Sequence, residues 1–101
     1  MPISQKQKKA IKNQIKDRLS KEDEIEKIIL FGSFVTSEEP NDIDIAIFQN
    51  SDEKYLTLAM KYRKLTRDIA KIIPIDIIPV KSGAEGAFMD EINTGEIIYE
   101  R

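Results

Sequence analysis

The fold class predicted by this sequence is a two-layer α/β sandwich in one domain spanning residues 1–101. Three observations carry it. Stretches with helical four-residue periodicity interleave with short apolar runs of strand length. At 101 residues the chain is long enough for one hydrophobic core and no more. No repeat, low-complexity segment or linker divides it, and few strands mixed with helices in so short a chain pack best as helices on one small sheet.

The elements follow in order. Residues 4–19 read as a helix: Ile11, Ile15 and Leu19 recur every four residues, and Ser4 can cap the start. Its lysines (Lys6, Lys8, Lys9, Lys12 and Lys16) read as a solvated face. After the polar SKEDE connection, residues 25–31 become continuously apolar and read as a strand stopped by Gly32. Residues 42–48 alternate, with Ile43, Ile45 and Ile47 on one face and Asp42, Asp44, Ala46 and Phe48 on the other. Ser51 or Asp52 can cap a long helix over 53–71, whose inner stripe is Leu58, Tyr62, Leu65, Ile69 and Ile72. Arg63, Lys64 and Arg67 fall on its outer face, and Lys61 at the edge of the stripe. Pro74 ends it. Residues 75–80 form a third strand, in which Pro79 predicts weakened pairing near the end. A short helix over 83–93 sets Ala84, Phe88 and Ile92 on one face, and residues 96–101 close the chain as a short strand.

Composition narrows the chemistry. With 41% hydrophobic and 34% charged residues the chain reads as globular. No apolar run approaches the roughly 20 residues that span a bilayer, and no signal peptide is visible, so no membrane contact is expected. The absence of cysteine makes the cytoplasm the expected home and excludes thiolate metal sites. The absence of histidine excludes a histidine base, a Ser-His-Asp triad and histidine-ligated zinc. A net charge of −2 gives no general attraction to nucleic acid. Catalysis, if any, must run on carboxylates, amines, hydroxyls or a metal held by oxygen.

Asp42 and Asp44 interrupt what is otherwise a buried strand. Residues i and i+2 of a strand point the same way, which sets these carboxylates about 6–7 Å apart at Cα. Two such charges repel unless something positive lies between them, and a divalent cation suits that role, Mg²⁺ taking a few carboxylate oxygens and filling its shell with water and phosphate. Asp76 repeats the anomaly among Ile75, Ile77 and Ile78. If the second and third strands neighbour one another in register, three carboxylates converge on a hard-metal site for phosphate chemistry. The plainer alternative is that each Asp caps or solvates a strand end. Gly32-Ser33 directly follows the first strand: a glycine lets backbone approach a ligand, and N–H groups after it can hold phosphate oxygens. An ordinary glycine turn with a serine cap reads the same. The P-loop pattern is absent.

Taken together, "LFGSF", "NDIDIAIF", "IDIIPV" and "FMDEINTGEIIYER" resemble the minimal nucleotidyltransferases of the DNA polymerase beta superfamily. The resemblance runs through most of the chain from Ile25 on. It implies that fold's small mixed sheet with helices packed on it. It implies that Gly32 and Ser33 bind the triphosphate of a nucleotide, that Asp42, Asp44 and Asp76 are catalytic and bind two Mg²⁺ ions, and that AMP passes from ATP to a hydroxyl acceptor. Stand-alone members of this size pair with a small helical HEPN-type protein as antitoxin and toxin, and the implied acceptor is a tyrosine of that partner. Where many relatives carry Ala-Arg-Gly after Gly-Ser, this chain has Phe34, Val35 and Thr36, and Lys61 is the candidate replacement for the lost cation. Two other readings stay open: a binding module that neutralises its partner sterically, and transfer to a small molecule in a dimeric cleft, so that a homo-oligomer is also left open.

Overall fold

The computed structural model describes residues 2–84 and 86–101, the side chains of Ala87 and Phe88 excepted. Four strands, β1 (Ile25–Phe31), β2 (Ile43–Gln49), β3 (Ile75–Lys81) and β4 (Glu96–Glu100), form one mixed sheet in the order β3-β2-β1-β4. β1 runs antiparallel to β2 and β4, and β2 runs parallel to β3. The helices are α1 (Gln5–Leu19), α2 (Ser33–Thr36), α3 (Tyr55–Leu65), α4 (Arg67–Ala70) and α5 (Ala87–Asn93).

The alternation of β1 and β2 builds two cores. On one face Ile28, Leu30, Ile43, Ile45, Ile47 and Ile77 pack against Ile11, Ile15 and Leu19 of α1, Phe34 of α2, Leu58 and Tyr62 of α3 and Ile69 of α4. On the other, Ile29, Phe31, Ala46, Phe48 and Val80 pack against Ile92 of α5. The first layer is a full one; α5 adds a short partial cover to the second face, the face to which strand alternation assigns Asp44 and Asp76.

α1 starts with a capping box: the Gln7 N–H donates to Ser4 Oγ at 3.1 Å and the Ser4 N–H to Gln7 Oε1 at 2.8 Å. Two of its lysines are not plain surface. Lys8 is 4% exposed, lies over the Phe34 ring and donates from Nζ to the Ser37 carbonyl at 2.6 Å. Its methylene stem packs while its tip finds a carbonyl, which charge patterning alone does not show. Lys12 pairs with Glu96 of β4 at 2.9 Å.

The long helix expected over 53–71 is broken at Thr66. This residue is 1% exposed, its hydroxyl donates to the Tyr62 carbonyl at 3.0 Å, and its backbone leaves the helical region at φ −111, ψ 13. Such a bond back to the preceding turn bends helices. The break puts Ile72 beyond the end of α4, where it is 66% exposed, and Ile73 takes the core position at 4%. Neither Ser51 nor Asp52 caps α3; Lys54 is the N-cap, without a side-chain bond, and Ser51 Oγ instead accepts from the Glu53 N–H at 2.9 Å.

β3 does not weaken at Pro79. Its register with β2 continues through Val80 to Lys81, because β3 is an edge strand and a missing N–H is tolerated there. α5 begins only at Ala87 because Gly83 (φ 85) and Gly86 (φ 134) hold backbone angles that a right-handed helix excludes. Ala84 therefore precedes the helix, and the expectation for Phe88 lies outside the described residues. Among the described residues no helix is long and apolar enough to cross a membrane.

Candidate metal and nucleotide site

The parallel register sets Asp44 directly opposite Asp76, with Ile43 opposite Ile75 and Ile45 opposite Ile77. Asp42 stands just ahead of β2 rather than within it, where the Ile43 N–H donates to the Pro74 carbonyl at 2.9 Å and ties the two strand starts together. From these positions Asp42, Asp44 and Asp76 each bring a carboxylate oxygen within 4.8 Å of the others. Asp42 and Asp44 are half-buried and Asp76 is exposed, as an edge-strand residue should be.

The Asp44 carboxyl is held above the ordinary aspartate range. Burial is the main cause, followed by the negative charges of Asp42, Asp76 and Glu91 and a hydrogen bond shared with Asp76. No lysine or arginine among the described residues forms a salt bridge with any of the three aspartates; the ion pairs join Lys12 to Glu96, Arg18 to Asp68, Lys61 to Glu22 and Glu24, and Lys81 to Asp52. Clustered carboxylates left without a protein cation fit a hard divalent ion bound through oxygen.

Gly32 belongs to the same construction. It ends β1 at φ 78, and a Cβ built on it would lie 2.4 Å from Asp44 Oδ2. The position calls for glycine by its backbone angle, and a side chain there would also displace the Asp44 carboxylate. The chain then turns into α2 at Ser33, with the Val35 N–H donating to the Gly32 carbonyl at 3.1 Å and the Ser37 N–H to the Ser33 carbonyl at 2.8 Å. The far end of this turn is fastened by Lys8 on the Ser37 carbonyl and by the Ile3 N–H on the Glu38 carbonyl at 2.9 Å. α1 thus anchors the segment that carries Gly32 and Ser33 beside the aspartates.

Lys61 is not brought to this place. Its Nζ lies 2.7 Å from Glu22 and 2.9 Å from Glu24, in the connection that precedes β1, while Gly32 follows the other end of that strand. Hydrogen bonds to Glu22 first and Glu24 second hold its ammonium pKa above the usual lysine value. Glu91 was not signalled by the sequence as part of the acidic neighbourhood: it follows Asp90 in a short, largely apolar helix, and the packing of Ile92 onto the sheet brings α5 to the face that carries Asp44.

Comparison with known protein families finds a match. The match to the Polymerase beta, Nucleotidyltransferase family covers residues 13–101. The chain belongs to the polymerase beta nucleotidyltransferase family. Comparison with curated protein sequences finds no match. Among solved structures, the chain resembles one from the MntA-HepT toxin–antitoxin (TM-score 0.67, 19% identity, over 92% of this chain and 73% of that one). It also resembles one from the tri-AMPylated Shewanella oneidensis HEPN toxin in complex with MNT antitoxin (TM-score 0.64, 21% identity, 93% and 73%). A third is from a toxin–antitoxin with AMP-PNP (TM-score 0.64, 23% identity, 89% and 73%). These likenesses establish the shared nucleotidyltransferase fold.

Proposed function

We propose that this chain transfers AMP from ATP to a hydroxyl, with a tyrosine of a small helical HEPN-type partner as acceptor, and that it serves as the antitoxin of that pair. The observation that carries the reading is the convergence of Asp42, Asp44 and Asp76 within 4.8 Å, set in a nucleotidyltransferase family domain whose structural relatives include an AMPylated HEPN toxin complex.

Magnesium, when bound, neutralises the charge that keeps an oxygen nucleophile from a triphosphate. Asp42 and Asp44 are the residues proposed to hold it, as two ions shared with Asp76. The Gly32-Ser33 turn borders the nucleotide, its glycine admitting phosphate close to the backbone and its serine offering a hydroxyl. Asp76, the most exposed of the trio and on the sheet edge, orients the incoming hydroxyl and takes its proton. The bond formed joins acceptor oxygen to the α-phosphorus, the bond broken is the α–β anhydride, and pyrophosphate leaves. Positioning and charge account for such a transfer without histidine. The activity belongs to residues 1–101 acting as one cytoplasmic domain.

The experiment is to incubate the chain and its HEPN-type partner with ATP and Mg²⁺ and weigh the partner by mass spectrometry. An added AMP on the partner, absent with Asp44→Asn, supports the reading; an unmodified partner contradicts it.

A second reading has one observation in its favour. With Lys61 held by Glu22 and Glu24, the Gly32-Ser33 turn lacks the arginine of many relatives and has no replacement from α3. On that reading the chain neutralises its partner by covering it, and an Asp42→Ala/Asp44→Ala variant protects cells as fully as the wild type.

A further inference from the structure

The outer surface of α3 and α4 carries a stripe that the fold does not use. Leu56, Met60 and Arg63 follow one another at spacings of four and three, which places them along one line of α3, with Lys64 beside it, and Arg67 opens α4 just beyond the break at Thr66. Leu56 is 64% and Met60 61% exposed, and the three basic residues are exposed as well. The inner face of α3 is already committed to the core through Leu58, Ala59 and Tyr62. The apolar pair lies outside both core clusters and leaves most of its surface to solvent. The cations are equally uncommitted: the ion pairs of the described residues employ Lys12, Arg18, Lys61 and Lys81, and none of Arg63, Lys64 or Arg67.

We propose that this stripe is a docking surface for a partner protein that presents carboxylates around an apolar patch. The sign comes from charge complementarity: three free cations on a chain of net charge −2 select an acidic counterpart. The class comes from the distribution. The N-terminal half of the stripe is apolar, with Tyr55 also 58% exposed, and Asp52, Glu53 and Asp68 flank it, so a polyanionic nucleic acid would meet cations along only part of the face. A second copy fits less well, since a two-fold contact centred on the stripe brings Arg63 and Lys64 of both copies together. Position adds a further reason. α3 packs over β3, the edge strand that carries Asp76. A partner seated on α3 can extend round that edge to the exposed aspartate.

The inference rests on the reading above only in its choice of partner. The probe is a purified small helical HEPN-type protein, with binding measured by titration calorimetry at low and moderate salt. The expected results are that R63E/K64E/R67E and L56S/M60S each weaken binding at least tenfold, that wild-type affinity falls as salt rises, and that both variants keep the wild-type thermal midpoint. Asp44→Asn should bind like the wild type. Variants that bind within twofold of the wild type overturn the proposal. So do a wild-type chain that does not bind the probe, a wild-type dimer in light scattering that the variants dissolve, and loss by R63E/K64E/R67E of RNA binding alone. Partner modification by stripe variants with undiminished binding removes the surface and leaves the enzyme; binding lost in the stripe variants, with no AMP ever transferred, removes the enzyme and leaves the surface.

Discussion

Gly32 and Asp44 are in such close contact that a single added carbon on the glycine would lie 2.4 Å from the Asp44 Oδ2. The turn that ends β1 and the carboxylate of β2 are therefore one unit, and the Gly-Ser and Asp-x-Asp parts of the sequence are coupled by contact as well as by spacing. Substituting Gly32 by alanine must move either the backbone, which sits at φ 78, or the Asp44 side chain. Gly32→Ala is expected to cost about 1–3 kcal/mol by the usual penalty for a strained backbone position, read from urea unfolding. It should also weaken Mn²⁺ binding, which a variant damaged only in its backbone would retain.

Asp44 supplies a pH dependence whose sign is fixed. Burial first, and then the neighbouring charges of Asp42, Asp76 and Glu91, raise its folded pKa above the unfolded value. A raised carboxyl favours the protonated form in the fold. Its contribution to stability is therefore fullest below the ordinary aspartate pKa, and is lost as pH rises through the folded value. In EDTA, the metal-free protein is expected to lose stability over that interval, and Asp44→Asn to flatten this part of the curve and to be the more stable chain at neutral pH. Denaturant midpoints measured across pH 3–8 check both statements.

Asp68 has the opposite sign. Its hydrogen-bonded pair with Arg18, with one contact at 2.6 Å, lowers its carboxyl to about 2. That contribution is present above the ordinary aspartate pKa and lost as pH falls toward 2. The pair joins α1 to α4 at the surface, so Arg18→Ala is expected to make acid unfolding begin at higher pH and to leave nucleotide binding alone.

Lys61 supplies a further test, because its position separates it from the glycine turn. Bound to Glu22 and Glu24 away from Gly32, it should be dispensable for nucleotide. Lys61→Ala is expected to leave the ATP affinity unchanged and to reduce stability by no more than about 1 kcal/mol, the usual ceiling for partly exposed pairs. A tenfold loss of ATP affinity would return it to the site.

Much of this was legible in the residues. The alternation of Ile43, Ile45 and Ile47 with Asp44 fixed which face was polar, and aspartates in two apolar runs could share a site only if those runs were neighbours; the Asp44–Asp76 register bears that out. Other features depend on contacts that periodicity does not encode. Thr66 breaks a helix whose stripe reads through it, by a bond from its hydroxyl. Lys8 looks like one more surface lysine until Phe34 and the Ser37 carbonyl arrive beside it. Lys61 has the spacing of a helix-edge cation, and its partners come from a connection 37 residues earlier. Pro79 carries an edge-strand signature whose consequence depends on the sheet order.

The central claim is that Asp42, Asp44 and Asp76 hold a divalent cation with a nucleotide. The most direct measurement is the thermal midpoint in ATP with Mg²⁺ against ATP with EDTA. The account expects a clear rise for the wild type with Mg²⁺, because a ligand that binds only the folded state stabilises it, and no rise for Asp44→Asn. An unchanged midpoint for the wild type at millimolar ATP and Mg²⁺, or an equal rise in Asp44→Asn, would contradict it.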